Sequence, residues 1–293
     1  MTVEVAAMIF AGIAALLAGL VLARARFQGA SGVGRILVLG PICVACAIAM
    51  FAAEHFTAAR DLMPIVPPWL PAPLFWTYFV GAALLAAAIS FIVWCHVHWS
   101  AALLAVLFLI IVATIDLPNL PAHTHERLFW TLTVRETAFA AGAMVLAGSV
   151  WPIRNSVGIA APAAITVRFG RAIVAAIMIF YAIQHFLYPR FVPGVPLQKL
   201  TPAWMPAPTL LAYFIGAILL LGGIGLFIRP TIRIAAAGCG IVLLLLTAFF
   251  YLPIFAMEIH TPLALEGINY IGDTLLFAGT VLLAGLGADQ PTI

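Results

Sequence analysis

Apolar residues in this chain come in long unbroken blocks, not in the alternation of a half-buried strand or the one-sided stripe of a helix resting on water. The blocks run from Val5 to Ala23, Ile36 to Ala53, Leu74 to Cys95, Trp99 to Ile115, Leu128 to Val150, Ala172 to Leu187, Leu210 to Ile228, Ile234 to Tyr251 and Leu263 to Leu286. A helix rises about 1.5 Å per residue, so blocks of roughly 17–25 residues cross about 30 Å of hydrocarbon. The pattern predicts an all-α integral membrane protein with nine transmembrane helices. Composition removes the water-soluble alternative: with 65% hydrophobic and 8% charged residues, too little polar surface exists to cover a globule.

The charges that remain orient the chain. Arg24, Arg26, Arg35, Arg154, Arg168, Arg171, Arg229 and Arg233 fall in alternate connections or at the span ends beside them, which the positive-inside tendency assigns to the cytoplasm. The other face has Arg60, Arg127, Arg190 and Lys199. Glu4 precedes the first block and Arg24 and Arg26 follow it, the order of an uncleaved anchor with its N-terminus outside, not of a secretory signal peptide. The expected location is a bacterial or archaeal cytoplasmic (inner) membrane. The lipid bilayer is the expected partner, together with other membrane redox subunits or further copies of this chain. The net charge of +3 sits at membrane boundaries and does not indicate a nucleic-acid partner.

Between its blocks the chain repeats itself. "EHFTAARDLMPIVPPWLPAP" from Glu54 is answered by "QHFLYPRFVPGVPLQKLTPAWMPAP" from Gln184. His55 and Arg60 recur 130 residues later as His185 and Arg190, while Trp69, Tyr78 and Gly81 recur 135 later as Trp204, Tyr213 and Gly216. His123, Glu136 and Gly148 recur 137 later as His260, Asp273 and Gly285. Four spans return the chain to the side it started from. Two tandem four-helix bundles in the same orientation are therefore predicted, related by a pseudo-two-fold axis along the membrane normal, plus one N-terminal helix. The expected divisions are an anchor and link (1–34), a first repeat (35–150), a linker (151–164), a second repeat (165–288) and a tail (289–293).

The pattern of His-Phe near the end of a bundle's first helix, a Trp-(Leu/Met)-Pro-Ala-Pro loop and a following helix with Tyr-x-x-Gly resembles the DoxX-like membrane proteins, four-helix modules of bacteria and archaea. The resemblance covers roughly residues 35–150 and 165–288. It implies the architecture above and a setting of the kind linked to that family: quinone-coupled sulfur oxidation, membrane redox complexes, or disulfide and cofactor maturation.

The residues themselves offer two groups of candidates. His55, His123, His185 and His260, with Arg60, Arg190, Trp69 and Trp204, form a layer on the outer side. Imidazoles there suit a haem iron or a metal and can hydrogen-bond a quinone oxygen, while an interfacial His can also simply cap helix ends. Two histidines need help from Glu54, Asp61, Asp116, His125, Glu126 or Glu258 to close a metal site, so the metal remains open. The second group is Glu136 and Asp273, about ten residues into their spans and near the bilayer midplane, where an unpaired carboxylate is expensive. They are the candidates for proton handling. Arg135 is adjacent to Glu136 but turned about 100° round the helix, which makes Asp273 across the repeat interface its better target. Glu266, Tyr270 and Asp273 form one stripe that would line a path or lock two helices. Cys43-x-x-Cys46 reads as a packed pair of small residues, or as a redox pair or half a metal site.

Three functions follow as expectations: a quinone or cofactor held at the outer His/Arg/Trp layer of a redox system, a small-solute or proton-coupled carrier using the midplane acids, or a non-catalytic partner in a membrane assembly.

Overall fold

The computed structural model describes residues 1–151, 157–195 and 198–287. Arg154, part of the expected linker and the expected tail lie outside the described residues. The described chain is helical, its one strand-like feature being an isolated antiparallel bridge between Phe191 and Leu200. Nine long helices organise it: α1 (Val3–Leu22), α2 (Leu39–Thr57), α3 (Pro73–Val93), α4 (Val97–Ile111), α5 (Arg127–Ser149), α6 (Val157–Leu187), α7 (Pro208–Phe227), α8 (Ile232–Leu246) and α9 (Ala264–Ala284).

Among the described residues, eight helices are long and apolar enough to cross a membrane, not the nine expected. The exception is α5. At 23 residues it has the length, but Arg135 and Glu136 in its middle, with threonines at 131, 133 and 137, lower its apolar character. Its inner half is buried by α4, α6 and α9, so these polar groups are carried inside the protein.

The two repeats interlock. In each, the first helix packs on the second and the third on the fourth: α2 on α3 and α4 on α5, then α6 on α7 and α8 on α9. The ring closes by exchange, because α5 packs on α6 and α9 packs on α2, with α5 and α9 also meeting at the centre. The fourth helix of each repeat thus leans on the first helix of the other. α1 lies outside the ring against α2. There Cys46 Sγ donates to the Gly12 carbonyl at 3.1 Å, and Cys43 and Cys46 are free, buried thiols.

Local signals explain the shared shape of the repeats. Each Trp-x-Pro-Ala-Pro loop ends on an alanine in the left-handed region, Ala72 (φ 53) and Ala207 (φ 48). The alanine stands immediately before a proline that opens α3 or α7. A residue before proline avoids the right-handed helical region, and proline fits a first helical turn because no N–H is needed there. The third helices carry a second shared device: α4 continues through a π-turn at Val112–Asp116 into Leu117-Pro118, and α8 through Thr247–Tyr251 into Leu252-Pro253. The wider turn absorbs the proline's missing donor and its clash with the preceding turn.

Candidate functional site

The largest contrast between the repeats is a hole. Inside the first lies a cavity of about 600 Å³, bounded by α2, α3, α4, α5 and α9 and roofed by Leu62 to Leu70. Its walls are Phe51, Leu84, Phe108, Ile111 and Phe139. Phe79 on α3 and Ile110 on α4 line it and are also half exposed on the outer surface, as are Ile65 and Trp69 in the roof. In a bilayer, a rim of such residues faces acyl chains.

Polar groups gather on the α2, α5 and α9 side. Arg135 donates from Nη1 to Asp273 Oδ2 at 2.6 Å and from Nη2 to Glu136 Oε1 at 2.7 Å. The partner expected across the repeat interface is present, and the sequence neighbour is bound as well, because the long guanidinium reaches round the helix. Glu54, which is buried, accepts from Asn269 Nδ2 at 2.8 Å and lies within electrostatic reach of Arg135 and Asp273. Two carboxylates therefore share one guanidinium, with Glu54 and Asp116 within its electrostatic reach. In a low-dielectric interior that excess must be relieved by protons or by an incoming cation.

His55 forms the cavity's other polar edge. Its Nδ1 sits 2.8 Å from the Phe51 carbonyl, which can only accept, so Nδ1 carries the hydrogen and Nε2 is left as an acceptor. Among the described residues no protein group bonds that Nε2. The ring is placed by close packing: a Cβ at Gly81 on α3 would stand 2.7 Å from His55 Cβ, so only glycine lets α2 and α3 approach this closely.

The second repeat has the same parts and a filled interior. His185 bonds the Tyr181 carbonyl through Nδ1 at 2.6 Å, and its Nε2 accepts from Gly194 N–H at 2.9 Å. Val192 and Val195 are fully buried. A Cβ on Gly194 would meet Leu243 and Leu246 of α8, the residues that stand 135 positions after Phe108 and Ile111 of the cavity wall. Tyr251, from the π-turn, donates to the Pro193 carbonyl at 2.6 Å. The loop of the second repeat thus occupies the space left empty in the first.

The outer layer expected from the sequence divides. His55 and Trp69 reach the cavity. His185 is buried and bonded within the plugged copy. Arg60, Arg190, Trp204 and His260 are exposed. His123 is partly exposed, pairs with Glu126 at 2.6 Å and stacks on Phe129, so it does not join His55. Glu136 and Asp273 do come together, through Arg135. Among the described residues no three His, Cys, Asp or Glu side chains converge as metal ligands. The expected stripe on α9 is mostly a lock: Tyr270 accepts from the Lys199 backbone N–H at 2.9 Å, and Lys199 Nζ pairs with Glu258 at 2.9 Å and lies 3.9 Å from Glu266. Sequence reasoning missed Asn269 and gave Glu54 only an auxiliary part. The available signal was an amide inside an apolar span, four residues before Asp273, facing a repeat that ends its first helix in Glu where the other has Gln184.

Comparison with known proteins finds no matching family model, no matching curated protein and no matching solved structure. The site's reading rests on its geometry.

Proposed function

We propose that this protein belongs to a membrane redox system and takes a quinone-class molecule from the bilayer into the cavity of its first repeat. One observation supports this above all: a largely apolar chamber with a lipid-facing rim has its charged groups and His55 on α2, α5 and α9, while Thr77 and Thr114 opposite spend their hydroxyls on their own helices, an arrangement that suits an aromatic head group on an apolar tail. Its volume, about 600 Å³, is within the roughly 300–1,000 Å³ of small-molecule sites. Glu54 and His55 stand at the head-group end. Glu136 and Asp273 are already engaged by Arg135, so Glu54, held by a neutral amide, is the better proton acceptor.

Haem suits the chamber less well, since His55 is the one imidazole lining it. A carrier would need a polar route onward from the acid cluster, whereas α5 and α9 continue inward as buried Ala140–Leu146 and Leu276–Ala284. The orientation proposed is N-terminus outside, with the cavity in the outer half of a prokaryotic inner membrane.

The test is the ligand content of protein purified from its native membrane. Solvent extraction and mass spectrometry should find quinone enriched over bulk lipid, and a Leu84→Trp variant that fills the chamber should lose the enrichment. Equal content in parent and variant would defeat the reading.

A further inference from the structure

The plug of the second repeat is a template for the missing occupant of the first. The second loop has five residues more between its arginine and its tryptophan (Arg190 to Trp204) than the first (Arg60 to Trp69), and counted from the arginines Gly194 falls at Pro64. Gly194 has φ +102, which proline, fixed near about −65°, cannot adopt. Proline also has no N–H. The shorter first loop, with proline at this count, therefore lacks both the backbone path by which the second loop enters its bundle and the donor that satisfies the imidazole. The roof of the first repeat stays above the chamber, and His55, which lines it, keeps an Nε2 with no protein donor among the described residues.

We infer that the occupant of the first-repeat cavity presents a neutral hydroxyl donor to His55 Nε2, in the place where the second repeat presents the Gly194 N–H to His185, so that the site selects a hydroxylated ring such as a phenol or quinol over the corresponding ether or carbonyl. The inference rests on the reading of this cavity as a ligand site and narrows it to the reduced, donor-bearing form. The selection has a plain physical origin. A buried acceptor that gains a donor recovers a hydrogen bond, whereas a carbonyl or ether oxygen set against the Nε2 lone pair leaves two acceptors facing each other. The apolar body lies along Leu84, Phe108 and Ile111, as Gly194 lies along Leu243 and Leu246 in the other copy. Binding alone is inferred, with no electron transfer.

The experiment compares nonylphenol with its methyl ether, nonylanisole. The two have the same chain and ring and differ by one donor. Binding to the full-length protein in nanodiscs is measured by equilibrium dialysis, with empty discs as the correction for lipid partition. The phenol is expected to bind about tenfold more tightly, the equivalent of one recovered hydrogen bond of about 1.4 kcal/mol. In His55→Phe the two probes should bind alike, while the surface variant Arg60→Ala keeps the preference. If the parent binds both equally and Leu84→Trp abolishes both, the cavity is a ligand site and the inference about His55 is wrong. A preference that survives in His55→Phe overturns it too. If neither probe binds above empty discs, the cavity reading and the inference fall together. The comparison within the parent protein needs no variant, so a misfolded His55→Phe would not blunt it.

Discussion

Replacing Arg135 with Met asks whether the central cluster is a charge-balanced device or only a set of interhelical contacts, because the two differ in magnitude. Arg135 joins α5 to α9 through Asp273 at 2.6 Å and holds Glu136 at 2.7 Å. Its side chain is 18% exposed, and those of Glu136 and Asp273 are 12% and 8% exposed. If the guanidinium contributed ordinary interhelical hydrogen bonds, its loss would cost about 0.6 kcal/mol per contact, with a ceiling near 1.7. If it is the sole cation among Glu54, Glu136 and Asp273, its removal strands buried carboxyl groups and should cost about 3–5 kcal/mol. We expect the larger figure. A second prediction is tied to it: Arg135→Met combined with Glu136→Gln and Asp273→Asn removes the two carboxylates that Arg135 bonds, leaves Glu54 on its amide, and should recover most of the loss. The assay is reversible unfolding in lipid bicelles, driven by streptavidin trapping of paired biotin tags, which reads free energy directly. A single variant within about 1 kcal/mol of the parent, or a triple variant no better than the single, would refute the charge-balance argument.

Two further outcomes test the packing. Arg171, buried in α6, donates from Nε to the Ala284 carbonyl and from Nη2 to the Leu286 carbonyl, both at 2.7 Å, closing the C-terminal end of α9. Arg171→Met should destabilise the protein by about 1.5–3 kcal/mol for each lost charge-assisted bond, measured in the same trap, and an unchanged stability would remove this cap from the fold. Maleimide labelling of intact protein should modify Cys95, which is exposed, well before the buried Cys43, Cys46 and Cys239; early labelling of Cys46 would mean that α1 is not seated on α2.

What was legible in the sequence depended on whether a residue's partner is fixed by charge or by shape. Arg135 had few possible counter-ions inside the membrane, so Asp273 could be named from charge and depth. The loop alanines and the paired His-Gly contacts were visible as repeated letters, though not as backbone geometry. The empty chamber was not visible, because it follows from whether one loop enters a bundle, and loops 57–73 and 188–208 share their His-Phe, Arg and Trp signals. The visible differences are five extra residues between Arg190 and Trp204 relative to Arg60 and Trp69, and a glycine, Gly194, within that longer segment. The outer layer was overgrouped for a related reason. A common distance from the membrane centre does not bring side chains to one point, and His123 turns to Glu126 while His260 stays at the surface. The ninth span was counted by length, and only its polar middle separates α5 from the other eight.

The comparison of the two copies also sorts scaffold from function without any relatives. Because α5 leans on α6 and α9 on α2, the repeats must keep matching shapes for the ring to close, and several devices that set backbone geometry are kept in both: Ala72 with Ala207, Gly81 with Gly216, and the two π-turns ahead of Leu-Pro. The histidines belong partly to this class, since both anchor Nδ1 to the carbonyl four residues back. Several of the differences lie at or near the chamber. Glu54 faces Gln184, Pro64 faces Gly194, Asp116 faces Tyr251 at the same place in the π-turn, and Arg135 stands where the second repeat has Gly272. Of these, Glu54 and Arg135 line the unfilled interior of the first repeat, and their counterparts in the second, Gln184 and Gly272, carry no charge. A plug like the second repeat's satisfies the fold at lower electrostatic cost. The first repeat keeps the expensive arrangement, with a buried carboxyl excess and an imidazole acceptor lacking a protein donor, and burial of such groups is sustained when something outside the chain completes them.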